Sequence, residues 1–317
     1  MLKAGTDVDC TSFVGKNAQS ALDKKLIDEA EIDKHLVVLM KVRIRLGHFD
    51  PVGPLQSFPM TDVCSDYAIA LSNDGPVQSS ALIKNIGGAL PLTDAVKTVA
   101  VIGPNYNLSK ADVGYYGPHD PCDKNYWTLM DAVTKHSSAT ATGIAGVPNV
   151  LSEDTSGIAA AVAMAKTADE VILAVGTDLT WAHEEHDAMS ITFTKAQAQL
   201  IKEVSAAAKK PVILGEYTPR VTVDHPMERF CLVSDRLLVL MTVTMTATPL
   251  DLTDVMANPK IGAVMHLGQP SVTVVGVGEL LFGKTSPAGR TVQTVYNAAY
   301  AVSTHAIRRA CDSWAHF

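Results

Sequence analysis

The sequence predicts an α/β fold: a sheet sandwich covered by helices on both faces, with helix ahead of it. Two observations carry this expectation. From Lys97 onward, short apolar runs alternate with amphipathic stretches of about ten to fifteen residues. The apolar runs also lack the polar–apolar alternation of a half-exposed strand, so they read as strands buried on both faces of a parallel or mostly parallel sheet.

The elements follow in order. Between Ala18 and Leu46, Leu22, Leu26, Ile32, Leu36, Leu39, Met40 and Ile44 recur mostly three or four apart, and "DEAEIDKHLVVLMKVRIRLG" predicts an amphipathic helix closed by Gly47. "HFDPVGPLQSFP" has three prolines and two aromatics, the composition of a linker, and a second helical stretch follows to about Lys84. "KTVAVIGP" is a strand ending at Gly103. "DTSGIAAAVAMAKTAD" is a helix with Ile158, Val162 and Ala165 on one face, and "EVILAVGTD" is a second strand. Thr194 is placed to cap the helix in "TKAQAQLIKEVSAAAKK". "PVIL" is a third strand, "LDLTDVMAN" and "KIGAVMHLG" add a helix and a strand, and "VTVVGVGELLFG" is the last helix. In such sheets ligands sit beyond the carboxyl ends of the strands.

Composition excludes several classes of function. The chain has 317 residues, 47% of them hydrophobic and 19% charged, which suits a soluble protein with a real core. Its net charge is −7, and no basic run exceeds a Lys-Lys or Arg-Arg pair, so nucleic acid is not an expected partner. No apolar run reaches the roughly 18 residues of a membrane span, so no membrane partner is expected. The start, "MLKAGTDVDC", shows no signal peptide. Five cysteines lie without CxxC spacing, which excludes a zinc ribbon, and their odd number suits a complete disulfide framework poorly. No GxGxxG follows a strand and no P-loop occurs, so no nucleotide cofactor is expected. Lys84 and Arg290 read equally as ligand contacts or surface charges.

One loop stands out. "TWAHEEHDAMS", Thr180 to Ser190, leaves the strand "EVILAV" at the edge where ligands bind. Its histidines, His183 and His186, are three apart, whereas a zincin needs them four apart with a third ligand elsewhere, so metal is set aside. Glu184, Glu185 and Asp187 lie close together beside Trp181. Like charges and an apolar wall both raise a carboxyl pKa, which is how a general acid stays protonated near neutrality. A charged run of this kind is more often simply a solvated loop.

Several runs resemble glycoside hydrolase family 3, in its β-xylosidase-like branch. "AGTDVDC" and "KVRIRLGHFDP" resemble the end of the family's N-terminal (β/α)8 barrel and the exit from it. "ALIKNIGGALPL", "TVAVIGPNYN", "DVGYYGP", "EVILAVGTD", "KIGAVMHLGQP" and "LLFGKTSPAGRTVQTVY" resemble its α/β sandwich domain in order. The resemblance implies residues 1–50 as a helical remnant of the barrel, 51–80 as linker and helix, 81–300 as the sandwich, and 301–317 as an unassigned tail. It implies an oligosaccharide substrate, no cofactor, and a retaining mechanism with an aspartate nucleophile on the barrel and an acid/base glutamate on a sandwich loop. The branch's loop resembles I-E-x-E-G-x-D-R. Against it, Glu184 falls on the second glutamate and is the acid/base candidate, with Glu185 as the second candidate. Ala182 takes the first glutamate's place, and Ala188 the arginine's. Trp181, His183 and Asp187 would lie on the substrate side.

Two departures accompany the resemblance. The nucleophile belongs to barrel upstream of "AGTDVDC", and Asp7 and Asp9 are part of the remnant, so no nucleophile is expected in this chain. The alternative reading is a catalytically inactive fragment or carbohydrate-binding remnant. Leu36, Leu39 and Ile44, which would bury against the barrel, would then form a self-association surface. In the family "PVIL" runs straight on to something like "VTMTATPLDL". Gly215 to about Leu240 therefore reads as an insertion, of the kind a retained intron produces. Family members of this branch are usually secreted, which implies an extracellular location.

Overall fold

The structure is a computed structural model that describes residues 1–54, 57–108, 122, 127–183, 186–209, 212–214, 240–245, 250–268, 272–291 and 296–300; for 212–214 and 240–245 it describes the backbone. The chain divides into two compact units, Met1–Asp62 and Val63–Phe317.

The first unit is helical: a 3-10 turn at Leu2–Ala4, then α1 (Phe13–Asp23) and α2 (Glu29–Arg45). The helix read from "DEAEIDKHLVVLMKVRIRLG" is α2, and the apolar residues ahead of it, Leu22 and Leu26, belong to α1 and to the turn after it. Lys25 takes a positive φ of 53°, and Asp28 restarts the helix by accepting the Glu31 amide at 2.9 Å. Gly47, at φ 70°, closes α2 as expected. Among the described residues of this unit His35 alone is buried. Its Nδ1 lies 2.6 Å from Asp7 Oδ1 and its Nε2 3.2 Å from Glu31 Oε1, tying "AGTDVDC" to α2. The Asp7 hydrogen bond holds the imidazole pKa above its ordinary value. Leu36 and Ile44 are exposed, and Leu39 is half-buried.

The second unit carries the sheet and its core. Helix α3 (Asp66–Ser79) is capped by Ser65, whose hydroxyl accepts the Ala68 amide. It stops short of the expected Lys84, because Ala81–Asn85 forms strand β1, antiparallel to β7 (Ile261–Gly268) at the sheet edge. The remaining strands are β2 (Thr98–Ile102), β3 (Thr140–Ile144), β4 (Glu170–Leu173), β5 (Val212–Leu214) and β6 (Leu240–Met245). Apart from β1 with β7, every strand pairing among the described residues is parallel. Strand β3 escapes the sequence reading because "TATGI" is a half-exposed edge with little apolar signal.

Val99, Ala100, Val101 and Ile102 are all fully buried, as are Ile172 and Leu173. Consecutive strand residues point to opposite faces, so these strands are covered on both. The covering helices are α4 (Leu129–His136), which packs with α8 (Val277–Leu281), and α5 (Ile158–Thr167), which packs with α6 (Lys195–Ala207); α7 (Thr253–Ala257) lies against β7. The last helix is shorter than "VTVVGVGELLFG" suggests, because Thr273 is drawn into a bridge with Trp127.

Two buried or paired groups settle open readings. Lys84 is buried, and its ammonium donates to the Met256 and Asn258 carbonyls, each at 3.0 Å, at the end of α7. Burial pushes its pKa down, and its role is structural. Arg290 is exposed and bonds its own neighbours, the Ala288 and Gly289 carbonyls. Cys64 and Cys122 form a disulfide with Cα atoms 5.3 Å apart, and Cys10 is free and exposed. A bridge of this kind is typical of oxidising compartments.

Strands β5 and β6 each pair with both β4 and β7. Strand β4 spends one edge on β2 and β7 spends one edge on β1. The remaining edge of β4 takes Leu240 at Val171 and Ile213 at Ile172, while that of β7 takes Ile213 at Ala263 and Val243 at Met265. Neighbouring strands lie about 4.8 Å apart, so the space between β4 and β7 admits one strand. The proposed insertion itself falls on residues outside those described. By register, Leu214 is followed in the ladder by Val243. Joining these two residues and deleting 215–242 is expected to leave one continuous strand and to remove a loop-closure cost of about 3 kcal/mol. Thermal unfolding should shift upward by several degrees. A lower Tm would show that the deleted stretch contributes to the fold.

Candidate functional site

The site is built where β2 and β4 end. Gly103, at φ 132°, turns the chain out of β2 so closely past β4 that a Cβ there would lie 2.0 Å from the Ala174 carbonyl oxygen. Only glycine fits. This lets Asn105 cross to the neighbouring strand end, where its amide donates to the Ala174 carbonyl at 3.1 Å and its Nδ2 to the Thr177 carbonyl at 3.0 Å.

From the other side Gln197 of α6, fully buried, reaches the same chain. Its Oε1 accepts the Gly176 amide at 3.0 Å, and its Nε2 donates to the Gly176 carbonyl at 3.0 Å and the Val150 carbonyl at 2.8 Å. Gly176 itself stands at φ 139°. The first two residues beyond β4 and its extension are thus held by buried side chains from two other segments.

The loop then folds on itself. Asp178 Oδ1 accepts from the Thr180 amide at 2.8 Å, and the Asp178 carbonyl accepts the Trp181 amide at 3.0 Å. Trp181 is buried in a small apolar cluster with Val150 and Leu250, against which Ala182, Ala188 and Phe193 pack. His183 and His186 exchange both backbone hydrogen bonds, at 3.0 and 2.9 Å, and their rings stack 5.1 Å apart. His183 Nδ1 lies 2.9 Å from the Leu179 carbonyl oxygen. Both histidines and Asp187 are exposed. The two acid/base candidates, Glu184 and Glu185, stand between these histidines in sequence and lie outside the described residues.

Of the site residues expected from sequence, Trp181 therefore turns into its own apolar cluster, while His183 and Asp187 face solvent beside the turn. Asn105 and Gln197 were not singled out by the sequence reading. The available signal was the "TKAQ" at the start of α6, since Thr-x-x-Gln is the pattern of a capping box. Here Thr194 does accept the Gln197 amide, but the glutamine side chain is diverted to Gly176 and Val150. Glu153 instead accepts the Lys195 and Ala196 amides.

Among the described residues no three His, Cys, Asp or Glu side chains group closely enough to hold a metal ion. A large open groove, of about 1180 Å³, runs past Phe193, Lys202, Asp251 and Val255 and includes neither Trp181, His183 nor Asp187.

His266, near the end of β7, is largely buried, and burial pushes its pKa down to about 4. The unfolded imidazole titrates near 6.5. Between about pH 4 and 6.5 the unfolded chain binds the extra proton, so stability rises with pH through this window and is lost as pH falls. The full effect is about 3 kcal/mol. A His266→Gln variant is expected to flatten this acid limb in denaturant titrations, and an unchanged limb would contradict the assignment.

Comparison with known proteins agrees with this architecture. The model of the Glycosyl hydrolase family 3 C-terminal domain matches residues 80–227. Probable beta-D-xylosidase 7 of Arabidopsis thaliana is 33% identical over 306 residues, 95% of this chain and 36% of that protein. Beta-xylosidase/alpha-L-arabinofuranosidase 2 of Medicago sativa subsp. varia is 29% identical over 94% of this chain and 35% of its own length. Among solved structures, a GH3 exo-beta-xylosidase in complex with a xylobiose aziridine activity-based probe superposes with a TM-score of 0.76 at 27% identity, covering 95% of this chain and 35% of that one. A beta-glucosidase from Listeria innocua, 19% identical with a TM-score of 0.68 over 90% of this chain and 35% of its own, shares the fold. The chain spans about a third of the length of the curated relatives it matches. Residues 80–227 match the glycosyl hydrolase family 3 C-terminal domain, and over nearly its whole length the chain is similar to xylosidases that carry it.

Proposed function

We propose that this chain is the acid/base-bearing part of a retaining glycosidase that removes terminal β-linked xylose, or a related sugar, from xylo-oligosaccharides. The observation that carries the reading is the match of nearly the whole chain, 95%, to a relative named as a β-xylosidase. The anchored departure of the 176–187 loop from the end of β4, where ligands bind in such sheets, supports it. In this reading Glu184, with Glu185 as the second candidate, protonates the leaving glycosidic oxygen. It then takes a proton from the water that releases the sugar. The nucleophile is an aspartate of a barrel, most of which lies beyond these 317 residues. Residues 1–50 are the barrel's last piece, 51–80 the linker and helix, 81–300 the sandwich and 301–317 a tail. His183 and Asp187, being exposed, are available to the substrate. Trp181 acts from behind, as the buried anchor of the loop.

The test is hydrolysis of an aryl β-xyloside by the chain joined to the nucleophile-bearing barrel of a relative, beside a Glu184→Gln control in the same fusion. Release that falls by about 100-fold or more in the control, with a poor leaving group, is the expected result. Equal release in both proteins contradicts the role of Glu184. The second reading, a carbohydrate-binding remnant without catalysis, is favoured by the chain's covering 36% of its relative. It predicts a folded chain that binds xylobiose in calorimetry and releases nothing.

The exposed Leu36 and Ile44 of α2 fit self-association of a chain whose first unit buries no apolar side chain among its described residues. Sedimentation is expected to show a concentration-dependent oligomer that Leu36→Glu with Ile44→Glu dissolves. A monomer at all concentrations would remove this surface from the account.

A further inference from the structure

We infer that Gln197 and Asn105 are positioning residues for the loop carrying the acid/base candidate, acting together as a clamp on Gly176 and Thr177. The inference rests on the functional reading above for the word acid/base, and on geometry for the clamp.

Gln197 makes three hydrogen bonds from a side chain with no exposed surface, and none of them serves its own helix. Two hold Gly176, where the loop begins. The third holds Val150, one of the two buried residues packed with Trp181. One side chain therefore fixes both the loop's root and the wall against which its tryptophan rests. The helix start that Gln197 would ordinarily support is instead satisfied by Thr194 and Glu153.

Asn105 holds the next residue, Thr177, from the opposite strand end, and it does so at a cost. Its Oδ1 is buried and accepts no hydrogen bond. An amide whose acceptor is left unpaired is a poor choice for stability alone, since an apolar residue of similar size would avoid the penalty. Its Nδ2 bond to Thr177 is the contact that such a replacement would lose.

The clamp acts on direction. Gly176, at a φ of 139°, has little intrinsic preference for the path the chain takes, so side chains must select it. A general acid works only within hydrogen-bond reach of the leaving oxygen, and a displacement of about 1 Å can cost about 100-fold.

The test uses Trp181 as reporter in a Trp127→Phe, Trp314→Phe background. Gln197→Met keeps length and removes the bonds. It is expected to shift Trp181 emission to the red and to raise its quenching by acrylamide several-fold, with cooperative unfolding retained. Asn105→Ala should move both signals in the same direction. Gln197→Glu is the decisive variant. As a neutral acid it can still accept from the Gly176 amide and donate to one carbonyl. As a carboxylate it faces the Gly176 and Val150 carbonyls with no proton to give. Its Trp181 signal should match the parent at low pH and the Met variant at high pH, a transition that parent and Met variant lack. Should the Met variant not fold, this pH transition alone decides. Unchanged Trp181 signals in the Met variant, or no transition in the Glu variant between pH 4 and 10, would overturn the clamp.

Catalysis by the barrel-joined chain provides a separate readout. Release of the loop should cost at least tenfold more with a phenyl than with a dinitrophenyl β-xyloside, because only the poorer leaving group needs the acid. Equal losses on both would reduce Gln197 to structural support and overturn the positioning role. A wild-type chain that shows the Trp181 behaviour but, joined to the nucleophile-bearing barrel, hydrolyses neither substrate would refute the functional reading and leave the clamp standing.

Discussion

The central strands of this protein are buried on both faces, and the rest of its architecture follows from that constraint. Val99 to Ile102 and Ile172 to Leu173 have no contact with water. Where such strands end, each emerging amide and carbonyl still needs a partner, and water is not there to supply it. The protein meets this need with side chains from other segments: Asn105 from the end of β2 and Gln197 from α6. A loop that leaves a fully buried strand is thereby held at its root while His183, His186 and Asp187 reach solvent. That combination suits a residue that must be exposed to substrate and yet fixed in direction.

The same constraint explains why the contested position beside β4 matters. A buried ladder has no tolerance for two strands in one place, and the registers of β5 and β6 converge on a single path from Leu214 to Val243. An insertion at a surface turn would cost little. The described ends on either side of residues 215–239, β5 and β6, each pair with both β4 and β7. The two units also differ in kind. The second has an extensive apolar core, whereas the first buries only His35 between Asp7 and Glu31 among its described residues. An amphipathic helix such as α2 usually gains its stability from burial of its apolar face, and within this unit that face stays open.

Much of the fold was legible in the sequence, because apolar runs without alternation have one good solution, a parallel sheet covered twice. The strands "KTVAVIGP", "EVILAVGTD" and "KIGAVMHLG" and the capped start of α6 needed no tertiary information. The misses came where tertiary contacts override local pattern. Ala81–Asn85 reads as the tail of a helix but pairs with β7, and "TATGI" becomes a strand because β2 offers an edge. The start of α2 at Asp28 was legible, since that aspartate caps the helix. At the site, the charged loop was visible as a position, whereas the groups that hold it were not. Asn105 looks like a turn residue and Gln197 like half of a capping box, and only the approach of three distant segments reveals what they bind. Trp181 likewise looks like a wall for substrate, and the fold shows it packed into its own anchor.

The measurement that most directly tests this account is hydrogen exchange at the Gly176 amide. The account predicts protection comparable to the β4 amides, since that proton is donated to a fully buried glutamine oxygen. Exchange as fast as an exposed turn would contradict it. The root of the loop would then be free, and a carboxyl carried on it would have no defined direction.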